Sequence, residues 1–240
     1  MFFKFKKKDS TVEVKNNEDE TINSQSKSEI LDFFKDLLII IVVVVVIRTF
    51  IAMPFQISGQ SMYSSYYDRE FIIVDRISYI LGNPSRGDVI VFKPYVNDAK
   101  KYFLKRIIGV PGDTIKIEEG NVFIKNKNTS DFVQLDEVYL NEENKGNTFV
   151  GISKGSHQYE LANDQYFVMG DNRNHSTDSR ECFSNCVGRS EFISKKDMIG
   201  KIFLDFGYFN FKKFDFIQPD LGIDTTPRFF SSPSTYSHNL

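Results

Sequence analysis

The chain has 240 residues, 41% of them hydrophobic, which is enough for one domain with a real core and excludes disorder of the whole chain. Its 30 basic and 32 acidic side chains leave a net charge of -2, so no cationic surplus favours binding to nucleic acid. The two cysteines have a single histidine near them in sequence, too few ligands for a zinc site, and we expect neither a metal nor another cofactor.

The first 29 residues are mostly polar and charged and, apart from three phenylalanines, poor in apolar residues, and this composition predicts a flexible tail. Seven lysines precede the apolar run that follows, whereas after Arg48 the next basic residue is Arg69. Basic residues concentrate on the cytoplasmic side of membrane segments. The bias therefore predicts a cytoplasmic tail over 1–29.

The run LLIIIVVVVVI at 37–47 is the most apolar part of the chain. Eleven residues fall short of the roughly 20 that cross a bilayer, but residues 30–53 together have about the required length. Lys35 and Arg48 lie towards the ends, where their charges can reach the headgroups. A buried strand or a cleaved secretory signal are alternatives, although a cleaved signal starts near residue 1 and ends at small residues. We predict a permanent transmembrane signal-anchor helix over 30–53, with everything after it outside the cytoplasm.

After Pro54 the sequence changes to short runs of Val, Ile, Phe and Tyr separated by Gly, Asn, Asp and Pro. These runs are typical of strands bounded by turns: EFIIVDRI, GDVIVFKPY, YFLKRIIGV, DTIKIEEGNVFIKN, DQYFVMGD and IGKIFLDFGYF. No long amphipathic helical period competes with them, so we predict a mainly antiparallel β domain over 54–218. Residues 126–160 are predicted to form hairpin insertions, and the Ser-, Thr- and Pro-rich residues 219–240 a disordered tail.

Two residues in separate segments are candidates for nucleophilic chemistry. Ser61, in SGQSM, needs a base to remove its proton, and none of the three histidines stands in a strong motif. In KKYFLKRIIGVPGD, strand alternation places Lys105 on an apolar face with Phe103 and Ile107, and burial there would lower the pKa of the lysine. From spacing alone, an ordinary edge or surface lysine is the favoured interpretation.

A third segment, GDNRNHSTDSR, combines Gly, Asp, Asn and Ser with two arginines. This composition suits a rigid, hydrogen-bonded loop in which Asp171 or Asp178 pairs with Arg173 or Arg180. By itself the segment fits a structural turn equally well.

In this order, SGQSM, RGDVIVF with KRIIGVPGD, and GDNRNHSTDSR resemble the type I signal peptidases of bacteria, also called leader peptidases. The resemblance runs from about residue 47 to 206 and includes the lead-in IRTFIAMPFQISGQSM and the later IGKI. It implies a Ser/Lys protease on the outer face of the bacterial cytoplasmic membrane. The expected architecture is an antiparallel β-sheet or partly open barrel as catalytic domain, behind a single N-terminal transmembrane helix.

The resemblance also implies roles for individual residues. Ser61 would attack the carbonyl at the cleavage site, and Lys105 would accept its proton, protonate the leaving amine and activate the deacylating water. Ser176 would orient the lysine amine. The other matching loop residues would support the site from behind: Asp171, Asn172, Arg173, Asp178 and Arg180.

Substrate recognition is implied to involve the residues around Ser61. The backbone N–H of Ser61 is the expected oxyanion donor, and Gly59 takes the place where some relatives have a serine hydroxyl, so Gly59 contributes backbone geometry alone. An extended preprotein segment would dock between two strands, with small side chains in shallow apolar pockets. The candidate pocket walls, each with ordinary core packing as its alternative, are Phe55, Ile57, Met62 and Leu104.

Two stretches depart from the resemblance. YSSYY at 63–67 stands where relatives have a proline and a small hydroxyl residue before leucine, so we expect a different rim after the nucleophile. ECFSNCVGRSEF at 181–192 intervenes before the expected Gly-x-Val. The insertion fits a loop closed by a disulfide between Cys182 and Cys186, which an extracytoplasmic location would permit, while two free thiols are the alternative.

We therefore expect a membrane-anchored serine endopeptidase that removes signal peptides from exported preproteins. Its partners would be signal peptides, the lipid bilayer and the protein-export machinery, because tethering enzyme and substrate to one surface raises their effective concentration. One alternative is a catalytically inactive β domain that binds export components at the membrane. Another is a cytoplasmic self-cleaving Ser/Lys repressor-type protease, which would carry a DNA-binding module instead of the tail and anchor.

Overall fold

The computed structural model describes residues 11–48, 52–94, 102–151, 155–184, 186–210, 213, 215–216 and 228–229. The chain divides into two compact units, residues 1–49 and residues 50–240. Each unit is described by itself below.

The first unit contains a long helix, α1 (Thr11–Val46), of 36 residues. This helix begins inside the segment 1–29, whose composition predicts a flexible tail. The large apolar side chains from Ile30 to the end of the helix at Val46, and that of Ile47 after it, are exposed. Among the described residues, no helix meets the combined demands of length and hydropathy for crossing a bilayer. Of the helix predicted over 30–53, residues 49–51 lie outside the described residues. Its predicted end is wrong, because Ala52 and Met53 form the start of strand β1, so the β domain predicted from residue 54 begins two residues earlier.

The second unit is built mainly from strands, as the alternating apolar residues predict. Its described strands are β1 (Ala52–Gln56), β2 (Phe71–Asp75), β3 (Val89–Phe92), β4 (Phe103–Gly109), β5 (Thr114–Glu118), β6 (Asn121–Lys125), β7 (Val133–Gln134), β8 (His157–Glu160), β9 (Phe167–Met169), β10 (Met198–Gly207), β11 (Phe209–Asn210), β12 (Asp215–Phe216) and β13 (Arg228–Phe229). A short helix, α2 (Ile77–Leu81), joins β2 to β3. Every pairing between described strands is antiparallel, so the predicted mainly antiparallel β architecture is confirmed.

The strands form one large sheet, one smaller sheet and a hairpin. The seven-stranded sheet has the order β1-β2-β10-β3-β4-β9, with β13 also paired to β10. The four-stranded sheet has the order β7-β6-β5-β8, and β11 pairs with β12. Strand β3 is buried on both faces because apolar clusters cover each side of the large sheet, which explains its unbroken apolar sequence VIVF.

The edge of β4 is only partly covered by its neighbour. Residues 103–106 pair with β3 on one side, but on the other side β9 begins to pair only at Arg106. Among the described residues, positions 103–105 therefore have no strand partner on that side. Across this opening, the ring of Phe55 in β1 lies 5.3 Å from the ring of Tyr102, the residue just before β4. Strand β1 therefore comes close to the start of β4.

Some elements were not predicted by the sequence patterns. Strand β1 contains Pro54, and the edge of a sheet tolerates a proline because no ladder hydrogen bond is lost there. Strands β7 and β8 lie within 126–160, where the polar sequence predicts hairpin insertions. Strand β13 lies within 219–240, where the composition predicts a disordered tail. Its two residues are ordered as a strand because they pair with the long strand β10. The other residues of that tail lie outside the described residues.

Candidate active site

Ser61 and Lys105 lie next to each other although 44 positions separate them in sequence. Ser61 stands on the turn that follows β1, and Lys105 on the open-edged part of β4. The Nζ atom of Lys105 lies 2.7 Å from the Oγ atom of Ser61 and donates a second hydrogen bond, of 2.9 Å, to the carbonyl oxygen of Leu104. This distance allows a proton to pass directly between the hydroxyl and the amine.

The environment of Lys105 favours its neutral form. The side chain is 3% exposed, and burial lowers the pKa of Lys105 from 10.5 to about 8, with the Arg180 charge acting in the same direction. The carboxylates of Asp178 and Asp171 oppose this shift. The ring of Phe103 lies 5.3 Å from Nζ and forms part of the apolar surroundings. Near pH 8 a large fraction of the lysine is therefore able to accept a proton.

The turn that carries Ser61 is held by the loop that follows β9. The backbone N–H of Asn172 donates to the carbonyl oxygen of Ser61 at 3.1 Å, and its side-chain amide donates to the carbonyl of Gln60 at 3.0 Å. On the other side of the turn, Gly59 has a φ of 103° and donates its N–H to Asp68 at 2.7 Å. Gly59 therefore adopts a left-handed conformation that other residues enter at a cost.

Asp178 forms a buried ion pair with Arg180. Nε and Nη2 of Arg180 each lie 2.9 Å from a different carboxylate oxygen of Asp178, and the N–H of Gly170 donates to the same carboxylate at 3.0 Å. Burial alone would raise the pKa of Asp178, but Arg180 and these hydrogen bonds hold the pKa below its usual range. Asp178 thus stays ionised and fixes the loop at Gly170.

Ser176 lies in the same loop, with its hydroxyl oxygen buried. Its hydroxyl is close enough to Asp178 to favour the ionised carboxylate, yet no described residue makes a hydrogen bond of normal geometry to Ser176 Oγ. The bond to the amine of Lys105 that the resemblance implies is therefore not formed in this arrangement.

Asp171 and Arg173 pair with residues outside their own loop. Arg106, next to the lysine, directs Nε and Nη2 to the carboxylate of Asp171 at 2.9 and 2.6 Å, and both side chains are fully buried. Arg173 pairs with Glu137 and donates to Thr148 Oγ1 at 2.6 Å. Of the four pairings left open by the sequence, the structure thus has Asp178 with Arg180, while Asp171 and Arg173 take distant partners.

A cleft of about 560 Å³ opens above the Ser61 hydroxyl. All four residues predicted as substrate pockets line it, Ile57 and Met62 as buried side chains and Phe55 and Leu104 as half-buried ones. The remaining lining includes several residues that the sequence patterns did not assign to a pocket: Ile72, Val91, Tyr102, His175 and Thr177. A second groove of about 580 Å³ lies along 187–194 and contains neither Ser61 nor Lys105, so we place the chemistry in the first.

Comparison with known proteins identifies the family. A family model described as signal peptidase, peptidase S26, matches residues 30–206. The chain belongs to this signal peptidase family. It is 33% identical to signal peptidase I P of Bacillus subtilis subsp. natto over 73% of this chain and 88% of that protein. It is 32% identical to signal peptidase I S of Bacillus subtilis strain 168 over 71% of this chain and 92% of that protein.

A further relative agrees with this membership. Signal peptidase I U of Bacillus subtilis strain 168 is 36% identical over 67% of this chain and 80% of that protein. A solved signal peptidase I from Enterococcus faecalis V583 is 23% identical, and the likeness covers 50% of this chain and 96% of that chain with a TM-score of 0.33. As a member of the signal peptidase family, the chain is a hydrolase of the signal peptidase I type.

The insertion that departs from other signal peptidases forms a closed loop. Cys182 and Cys186 are joined by a disulfide, and Phe183 between them is buried in the core. The sequence signal for this loop is the pair of cysteines itself. Nothing in the spacing indicates that the enclosed phenylalanine points inwards.

Gly170 allows the loop after β9 to approach the nucleophile. A Cβ atom at this position would lie 2.2 Å from Ser176 Oγ and 2.3 Å from the carbonyl oxygen of Ser61. Gly170→Ala is therefore expected to displace Ser61 and to lower the peptidase kcat by about 100-fold or more, because misplacement by 1 Å has effects of this size. Gly188→Ala is the control, because a Cβ at Gly188 meets open space. Its φ of 69° adds backbone strain there, but the added methyl group clashes with no neighbouring atom. Equal kcat values for the two variants would contradict this role of Gly170.

Proposed function

We propose that this chain cleaves signal peptides from exported preproteins with Ser61 as nucleophile and Lys105 as general base. The observation that carries the proposal is the distance of 2.7 Å between the hydroxyl oxygen and a buried amine, at the floor of a cleft with an open strand edge. The names of the relatives supply the substrate class, since each is a signal peptidase I. The reaction requires water as the only co-substrate.

In the first half of the reaction, Ser61 Oγ attacks the carbonyl carbon of the scissile peptide bond while Lys105 Nζ takes the hydroxyl proton. The tetrahedral intermediate then collapses, and Lys105 returns the proton to the departing amine. The mature protein leaves, and the signal peptide remains as an ester on Ser61. In the second half, Lys105 takes a proton from water, the hydroxide attacks the ester, and the proton returns to Ser61 Oγ.

The negative oxygen of the tetrahedral intermediate needs hydrogen-bond donors, and these must come from the turn that carries Ser61. The backbone N–H of Ser61 donates to no described residue of the protein, which leaves it available for this oxygen. Gly59 has no hydroxyl to add a second donor. The proposed oxyanion site therefore depends on backbone geometry, which the Gly59–Asp68 and Asn172–Ser61 hydrogen bonds maintain.

Substrate docking is proposed along the free edge of β4. An extended peptide can donate and accept hydrogen bonds along positions 103–105, whose outer side has no strand partner among the described residues. Its alternate side chains would then face the cleft, where Ile57, Met62 and Leu104 form apolar walls. Walls of this kind favour small apolar side chains before the cut.

We place the enzyme at the bacterial cytoplasmic membrane, with a single-pass anchor inside the predicted segment 30–53 that ends before strand β1 begins at Ala52, residues 1–29 in the cytoplasm and the β unit outside. The exposed apolar side chains between Ile30 and Ile47 support this placement, as does the excess of lysines before them. Such an anchor would bring Ser61 to the surface where the export machinery delivers preproteins, and it would raise the effective substrate concentration.

One experiment tests both the activity and the placement. The full-length chain is expressed in a bacterium, its membranes are extracted with alkaline carbonate, and the extracted membranes are incubated with a purified preprotein. We expect the chain to stay in the membrane and to release a mature protein whose mass shows one cut after the signal peptide. Preprotein left intact would contradict the activity, and recovery of the chain in the carbonate supernatant would contradict the anchor.

A further inference from the structure

The insertion after the GDNRNHSTDSR segment, 181–192, begins with a loop that the disulfide between Cys182 and Cys186 closes. The first three residues of this loop, Cys182, Phe183 and Ser184, have φ values of 46°, 56° and 119°. L-residues rarely adopt these left-handed conformations, and each costs free energy that surrounding contacts must offset. The disulfide between Cys182 and Cys186 closes the loop, and the packing of Phe183 fixes it to the core.

Phe183 is 1% exposed and lies in a cluster of three aromatic rings. Its ring centroid lies 5.5 Å from that of Phe92 and 6.3 Å from that of Phe103, and the rings of Phe92 and Phe103 are 6.1 Å apart. All three pairs have the edge-to-face geometry that aromatic rings favour. Phe103 in turn lies against the amine of Lys105, with 5.3 Å between the ring centroid and Nζ. A continuous line of contacts thus joins the disulfide loop to the proposed base.

The disulfide loop also forms hydrogen bonds with Asp178, whose charge acts on Lys105. The N–H groups of Glu181 and Phe183 both donate to the carbonyl oxygen of Asp178, at 3.1 and 3.0 Å. Asp178 and Arg180 supply the charges that act on Lys105 from this side. Movement of Phe183 would therefore reach the lysine by two routes, through the ring of Phe103 and through the backbone at Asp178.

We propose that Phe183, held by the Cys182–Cys186 disulfide, is a positioning residue that keeps the ring of Phe103 against Lys105 and so keeps water away from the amine. This inference rests on the proposed role of Lys105 as general base and adds a determinant that the motifs of the family do not contain. The insertion at 181–192, which directly follows the GDNRNHSTDSR segment, would then help to hold Lys105 in place.

The effect of removing the ring follows from the same geometry. Phe183→Ala leaves a void beside Phe103, which lets that ring tilt away or admits water to the lysine. Contact with water favours the charged amine, so the pKa of Lys105 would move back towards its ordinary value. The other groups that face the amine are Asp171, Asp178, Arg180 and, across the cleft, His175, and none of them is substituted.

The test measures single-turnover cleavage of a purified preprotein by the full-length chain between about pH 6 and about pH 10. For Phe183→Ala we expect the midpoint of the acidic limb to rise by about one pH unit, with cleavage about tenfold slower at pH 7, since one pKa unit changes the neutral fraction tenfold. The Cys182→Ala, Cys186→Ala double variant should shift the midpoint in the same direction. Phe183→Leu, which retains apolar volume, should keep the midpoint within about 0.3 units.

A matched control separates positioning from stability. Ile124→Ala removes a side chain that is 1% exposed from the core of the small sheet, so it should lower the melting temperature without moving the midpoint. If Phe183→Ala does not fold, the double cysteine variant decides. An unchanged midpoint in the variants that fold, together with a melting temperature lowered as in Ile124→Ala, would overturn the positioning role. Cleavage that persists after Lys105→Ala would instead overturn the proposed function itself.

Discussion

Replacing Ser61 or Lys105 by alanine is expected to lower kcat for preprotein cleavage by at least about 10⁴-fold, since removal of a serine protease nucleophile or its base has effects of this size. Each substitution removes one of the two atoms that lie 2.7 Å apart in the cleft. Because the two residues act on the same proton, the double variant should be no slower than either single one. KM should change little, since both side chains lie at the floor of the cleft and either substitution leaves its apolar walls in place.

Matched substitutions separate this effect from general damage. Ser130 is an exposed serine before β7, away from the cleft, and Lys93 is an exposed lysine just after β3. Ser130→Ala and Lys93→Ala should both retain kcat within about threefold. The assay is the rate at which mature protein appears from purified preprotein. Substantial cleavage by Ser61→Ala or Lys105→Ala, beyond what the two controls lose, would refute the dyad.

Replacing Arg106 by methionine is expected to give the largest loss of stability. The substitution leaves the carboxylate of Asp171 fully buried without its ion-pair partner, and breaking a buried pair in this way typically costs about 3–5 kcal/mol. The same variant loses the hydrogen bond to the carbonyl of Gly87 and the stacking of the guanidinium at 4.0 Å over the ring of Tyr139. The free energy of unfolding should fall accordingly.

Urea unfolding monitored by the near-ultraviolet circular dichroism of tyrosine measures this loss, because all 11 tyrosines lie in the β unit. Arg69→Met is the control, since Arg69 is largely exposed beside Asp68 and should contribute less than about 1 kcal/mol. Adding Asp171→Leu to Arg106→Met should recover at least half of the loss, because the double variant has no unpaired buried charge. Equal decreases in the free energy of unfolding for Arg106→Met and Arg69→Met would contradict a stabilising role of the buried Arg106–Asp171 pair.

Local patterns in the sequence are sufficient to predict most strands of the large sheet. The alternation in EFIIVDRI corresponds to the buried Ile72 and Val74 of β2, and the unbroken VIVF to the doubly buried β3. The same reasoning places Lys105 and Phe103 on one apolar face, and in the structure the amine lies beside that ring. Such predictions succeed because strand periodicity reports burial directly.

Pairings between distant segments are not accessible to this reasoning. The loop composition indicates that Asp171 and Arg173 form ion pairs, but their partners, Arg106 and Glu137, lie 65 and 36 positions away. Which residues pair depends on the register of β4 with β9 and on the path of the chain between β7 and β8, where Glu137 lies. The inward direction of Phe183 is equally hidden, since left-handed backbone at three non-glycine residues leaves no mark in the sequence.

The pH dependence of single-turnover cleavage by the wild-type enzyme tests whether Lys105 is the base. We expect a rate that rises with pH along an acidic limb with a midpoint near 8, because Lys105 must lose its proton before it can accept one from Ser61. Below this midpoint the rate should fall tenfold for each pH unit. A midpoint below about pH 7, or a rate that is flat from about pH 6 to about pH 9, would contradict the role of Lys105 as base.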